Sequence, residues 1–215
     1  KILGVIDVNL FTQEMIDMEE REQVHSIFDT LGVSVAEMKD RSPFSVFRRR
    51  FPWLLATIAS GTVCALLVGF FEATLAQSLI LAFFLTLVLG LGESVSMQTM
   101  AITVHFMHHR SAQSGWYLEV LHREITRTLL LAVACGAIVG LIAWVWRGEA
   151  AAALVIGSGI FLSLLLAGFI GVSVPSLLHR LKLDLRVASG PLTLALADIC
   201  TVVTYFSLAT KILLT

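Results

Sequence analysis

Two carboxylates, Asp198 and Glu93, sit inside apolar stretches long enough to cross a membrane. Asp198 lies seven residues into P-L-T-L-A-L-A-D-I-C-T-V-V-T-Y-F-S-L-A-T, and Glu93 interrupts S-L-I-L-A-F-F-L-T-L-V-L-G-L-G-E-S-V-S-M-Q. An acid so placed costs roughly 2.5–3.5 kcal/mol on insertion scales, and by default it marks an ion or substrate pathway. No Lys or Arg occurs from Phe51 to Val104 or from Pro191 to Thr210, so neither acid has a basic neighbour in its own segment. The counter-charge this pattern calls for is a proton or a metal cation, which is transport chemistry. Pro191, Leu194, Asp198, Thr201 and Tyr205 recur at three and four residues, putting a carboxylate, a hydroxyl and a phenol on one helical face. Gly90, Glu93 and Met97 share a face of the other stretch, with Ser94 and Gln98 on an adjacent one. The candidate cation ligands are Asp198, Glu93, Ser94 and Thr201. The competing role for Asp198 is a protonated acid that hydrogen-bonds a neighbouring helix. Such contacts average about 0.6 kcal/mol in membranes, which poorly offsets an ionised carboxylate.

The elements that must position these groups are helices. The chain is 57% hydrophobic and 14% charged, with mean hydropathy +0.86, where soluble domains carry about 25% charged residues. That composition predicts an all-α membrane protein. A spanning helix needs about 20 mostly apolar residues, and five stretches qualify: 52–72, 76–104, 128–146, 150–178 and 191–213. Gly90 and Gly92 mark a bend or a close contact in the second, and Gly136 and Gly140 form a G-x-x-x-G pair in the third. Arg41, Arg48, Arg49, Arg50, Arg110, Arg123, Arg127, Arg180, Lys182 and Arg186 all fall on one side of this arrangement, against Arg147 and Lys211 on the other. The N-terminus is therefore expected in the cytoplasm and the C-terminus outside. Pro191, as a first-turn residue, opens the last helix. With 1.5 Å per residue, Asp198 and Glu93 then both lie roughly 10 Å inside the cytoplasmic boundary. Similar depth predicts one shared site.

Residues 1–40 differ in kind. I-L-G-V-I-D-V-N-L-F reads as a strand entering a helix, followed by an acidic amphipathic helix or helix pair. Its acids Glu14, Asp17, Glu19, Glu20 and Glu22 form either a solvated face or an oxygen-ligand site for divalent ions. The segment is too short to fold alone and is expected to belong to a longer cytoplasmic domain. Residues 41–51 read as a basic connecting helix against the inner leaflet or beneath the pore. Cys64, Cys135 and Cys200 stand singly in apolar runs, where small packing residues are the expected role. His105 and His109 are one turn apart near His108, but no H-E-x-x-H occurs, and interfacial histidines account for the cluster as well as a metal site does. Neither G-x-S-x-G nor G-x-x-x-x-G-K-[ST] is present, and the basic residues are dispersed, so hydrolase, ATPase and nucleic-acid functions lack support.

The run D-L-R-V-A-S-G-P-L-T-L-A-L-A-D-I-C-T-V-V-T-Y-F-S-L-A-T, residues 184–210, resembles the last transmembrane helix of the MgtE family of magnesium channels and transporters. That family shows D-P-A-x-x-S-G-P, then an Asp, then a Y-F-x-x-A ending. R-R-R-F-P-W-L-L, residues 48–55, is similar to the family's entry into its first span, and the first thirty residues resemble the tail of a CBS domain. The resemblance implies a homodimer with five spans per subunit, a pore on the two-fold axis, and a cytoplasmic region that closes the channel when it senses Mg²⁺. It further implies that Asp198 is the ion-selecting carboxylate, contributed once by each subunit. Domains follow: 1–40 the tail of a CBS-like regulatory domain, 41–51 the connecting helix, 52–215 the pore domain. One departure stands out. Where the bacterial family carries G-G-N-A-G-S-Q, this chain has Gly92-Glu93-Ser94-Val95-Ser96-Met97-Gln98, a change similar to a divergent subgroup and to eukaryotic relatives with glutamate in this region.

The expected function is inward movement of a divalent cation, foremost Mg²⁺ as transported ion and regulator, by a homodimer in the lipid bilayer of the cell membrane. No enzymatic activity and no nucleic-acid partner are expected. The alternatives are a cation-coupled exporter or exchanger, a membrane-embedded enzyme using Asp198 and Glu93 as an acid/base pair, and a sensor subunit that binds cations without passing them.

Overall fold

The computed structural model describes residues 43–109, 116–182 and 185–213. Among these residues every element is helical: α1 (Pro43–Phe70), α2 (Glu72–Gln77), α3 (Ile80–His109), α4 (Trp116–Arg147), α5 (Ala150–Arg180) and α6 (Leu185–Leu213). The expected strand, acidic helix and regulatory tail within residues 1–40 lie outside the described residues. Four helices, α3 to α6, are long and apolar enough to cross a membrane. The apolar part of α1, Leu54–Phe70, is shorter, about 25 Å at 1.5 Å per residue.

Why α1 stops short is visible in its packing against α6. The helix turns at Phe71, whose N–H reaches the Val68 carbonyl at 3.0 Å, and the chain resumes as α2. The Phe71 ring stacks on Phe206 with centroids 5.6 Å apart, and the hydroxyls of Thr74 and Thr210 share a hydrogen bond of 2.7 Å. Thus α1 and α2 together climb beside α6, and the break at Ser78 and Leu79 reverses the chain into α3.

Several expected boundaries move. The second stretch begins at Ile80 rather than 76, because α2 and the reversal take the intervening residues. The third begins at Trp116, twelve residues before 128, since the polar segment carrying Glu119, His122 and Glu124 is a helical extension. From Pro43 onward the expected connecting helix is continuous with the first apolar stretch, through Pro52. Pro191 is interior to α6, which starts at Leu185. A helix tolerates an internal proline at the loss of one backbone hydrogen bond, and packed neighbours can hold the turn together.

α5 is the hub, packed against α3, α4 and α6. Lipid supplies no hydrophobic drive between helices, so close van der Waals contact must do the work and small residues permit it. A Cβ on Gly136 would meet the Gly157 carbonyl oxygen at 2.6 Å, and one on Gly157 would meet that of Gly136 at 2.9 Å. The G-x-x-x-G pair therefore seats α4 on α5 within one subunit. Gly171 does the same toward α3, where a Cβ would lie 2.7 Å from the Ser96 carbonyl oxygen. Around these contacts Ile156, Ile160, Leu164, Val88, Val202 and Phe206 fill the core. The outward faces of α1 and α4 carry exposed Leu54, Ile58, Leu66, Leu130, Leu141 and Trp144, as lipid-facing surfaces do.

Candidate functional site

The site forms where α3 crosses α6. Glycine at position 92 allows the approach, since a Cβ there would stand 3.0 Å from the Thr201 hydroxyl. The next residue, Glu93, then lies near enough to Asp198 of α6 for the two carboxyl groups to interact. Glu93 is exposed and Asp198 half-buried. Asp198 Oδ1 is itself fully buried and has no hydrogen-bond partner among the described residues. Two neighbouring acids concentrate negative charge and so attract a positive ion. Among the described residues no Lys or Arg pairs with either acid, and no group of three or more His, Cys, Asp or Glu side chains is arranged to hold a metal ion. The geometry is an open acid pair, suited to an ion that keeps its water. Mg²⁺ sheds water reluctantly and is usually held by one or two carboxylates.

Around the pair the predicted ligands divide. Ser94 is exposed, and its hydroxyl accepts a hydrogen bond from Gln98 Nε2 at 3.2 Å, so it borders the open side of Glu93. Thr201 is 1% exposed and lies against Gly92, where it sets the helix spacing. The expected single face running to Tyr205 does not hold. Tyr205 is fully buried, its ring fits where Gly159 has no side chain, and its hydroxyl donates to the Leu81 carbonyl at 3.2 Å. The phenol locks α6 to α3 and α5 and does not line an open route. His105 and His122 are exposed on α3 and α4. The side chains of His108 and His109 lie outside the described residues.

Two residues escape the sequence pattern. Cys64 of α1 is buried, and α1 packs against α6, the helix that carries Asp198. No spacing rule links a cysteine to an acid on a helix more than a hundred residues away. Glu124 of α4 is 4% exposed and forms an ion pair with Arg127 at 2.6 Å. Its (i, i+3) partner is legible in the sequence, whereas its burial follows from the early start of α4.

The family model of MgtE, described as a divalent cation transporter, matches residues 85–208. This chain belongs to the MgtE family. It is 26% identical over 211 residues to the "Magnesium transporter MgtE" of Bacillus subtilis, covering 97% of this chain and 46% of that protein. Its identity to the protein of the same name from Thermus thermophilus is also 26%, over 216 residues, covering 99% of this chain and 47% of the relative. The match to the protein from Enterococcus faecalis covers 97% and 45%. The chain thus spans about half the length of the curated relatives it matches. Both Glu93 and Asp198 fall within the matched MgtE region, and the family is one of transporters rather than enzymes.

Proposed function

We propose that this chain is the membrane part of a divalent-cation channel or transporter, with Mg²⁺ the leading substrate, moving the hydrated ion inward. The observation that carries it is the facing of Glu93 and Asp198 on adjoining helices with no basic partner among the described residues. Family membership and relatives named as magnesium transporters support the same conclusion. α1 with α2 acts as the fifth crossing, because Phe71 and Thr74 keep level with Phe206 and Thr210 near the end of α6. The functional unit is a homodimer whose two-fold axis doubles the acid pair, so four carboxylates surround the ion without stripping its water. Ser94 belongs to the rim of this site, and Thr201 positions Asp198 through its seat against Gly92. The N-terminus is cytoplasmic and the C-terminus outside. Residues 1–40 act as the tail of a Mg²⁺-sensing CBS-like domain, 41–51 connect it to the pore, and 52–215 form the pore domain. A membrane potential of about 100 mV supplies roughly 4.6 kcal/mol for a divalent ion, so inward movement needs no other energy source.

The test is flux of Mg²⁺, Mn²⁺, Co²⁺ and Ca²⁺ into proteoliposomes containing the purified protein alone, with Asp198→Asn beside the parent. Expected is Mg²⁺ uptake by the parent and its loss in a variant that elutes as the same oligomer. Unchanged uptake in Asp198→Asn overturns the assignment.

A further inference from the structure

The first two turns of α1 carry a surface that an ion pathway does not account for. Phe44, Phe47 and Phe51 are exposed at 74%, 54% and 39%, and their rings stack in series with centroids 6.5 and 4.8 Å apart. At about 100° per residue the three fall on one face. That face continues unbroken through exposed Leu54, Leu55 and Ile58 into the apolar part of the helix. Arg48, Arg49 and Arg50 occupy consecutive positions on the same turn. Consecutive helical residues are spread around the axis, so these three positions form a collar at one level. Arg48 is exposed and makes no ion pair with a described residue. Pro52 lacks the N–H that would bond the Arg48 carbonyl, which frees the axis to bend just above the collar.

Water poorly suits a bare phenylalanine stripe, and three consecutive arginine positions call for an anionic partner. The headgroup zone of a bilayer suits both, because acyl boundary and phosphate lie within a few ångströms of each other there. We infer that residues 43–51 are a binding element for anionic phospholipid, with Phe44, Phe47 and Phe51 entering the acyl boundary and the arginine collar holding the phosphates. Lipid is the occupant, rather than the chain preceding Pro43, because the stripe is continuous with the outward face of α1 that the bilayer already covers. The inference rests on α1 crossing the membrane, and not on any ion passing beside Asp198.

The experiment uses the full chain, purified in detergent and equilibrated with equal phosphatidylglycerol and phosphatidylcholine, and counts retained lipids by native mass spectrometry. The expected result is enrichment of phosphatidylglycerol that falls roughly fivefold for each arginine changed to glutamine. It disappears in Arg48→Gln/Arg49→Gln/Arg50→Gln and survives in the corresponding triple lysine variant. Arg147→Gln, at the far end of α4, leaves it unchanged. An undiminished preference in the triple glutamine variant overturns the proposal, and so does its loss in the triple lysine variant. In a second arm, the added emission of Phe47→Trp is quenched by brominated lipid. An unquenched signal means that protein covers the stripe, and also overturns it. Asp198→Asn keeps the lipid preference whatever happens to flux, so failure of the transport assignment is separately visible.

Discussion

At the scale of single residues the proposed site is a pair of acids with no basic partner among the described residues. Asp198 and Glu93 differ in exposure, and that difference sets the size of the expected effects. Asp198→Asn removes the half-buried charge and lowers Mg²⁺ uptake at least about tenfold, equivalent to roughly 1.4 kcal/mol. Glu93 is exposed, so its charge is screened, and Glu93→Gln raises the half-saturating Mg²⁺ concentration by about two- to fivefold, as expected for an exposed charge interaction below 1 kcal/mol. Uptake titrated against external Mg²⁺ in proteoliposomes separates the two, and equal affinity in parent and Glu93→Gln would remove that residue from the pathway. Tyr205 supplies the contrast. Its hydroxyl bonds the Leu81 carbonyl in the core, so Tyr205→Phe costs about 0.5–1.5 kcal/mol of stability and leaves transport intact. Thermal denaturation in detergent, followed beside flux, checks both halves of that statement.

At the scale of elements the bundle is set by where backbones touch. Between α4 and α5 the 2.6 Å that a Gly136 Cβ would leave to the Gly157 carbonyl is a clash with backbone, which has little room to yield. Gly136→Ala is therefore destabilising, by about 1–3 kcal/mol as overpacked sites are. Gly61 meets nothing within 4 Å, and Gly61→Ala is neutral or stabilising by about 0.5–1 kcal/mol through the unfolded chain. Melting temperatures of the two variants in the same detergent must move in opposite directions, or Gly136 must move alone. The motif G-x-x-x-G was readable beforehand. Its partner was not, because the motif says only that some helix comes close.

At the scale of the whole molecule the proposed homodimer would double the acid pair. If two subunits share one ion route, a subunit carrying Asp198→Asn spoils the dimer it enters. Reconstituting mixed populations then gives Mg²⁺ uptake that falls with the square of the parent fraction, while independent subunits give a straight line. The same scale explains why α1 is held so closely to α6. Phe71 stacks on Phe206 and the Thr74 and Thr210 hydroxyls share a hydrogen bond, so α1 and α2 run together alongside α6.

Sequence by itself determined the apolar stretches and the unbalanced charges of Asp198 and Glu93, because hydropathy and charge are properties of a single strand of chain. It also carried enough of the last helix to point to the family. It misjudged Pro191 as an opening residue: the helix starts at Leu185 and takes the proline inside, at the loss of one backbone hydrogen bond. It grouped Tyr205 with Asp198 because helical angle tells which residues share a face. Only the tertiary structure decided what that face meets: an acid pair at Asp198, and two turns further on the ring-shaped space beside Gly159. Which helix lies opposite a residue depends on contacts between distant segments, and those energies appear only when the segments are folded together.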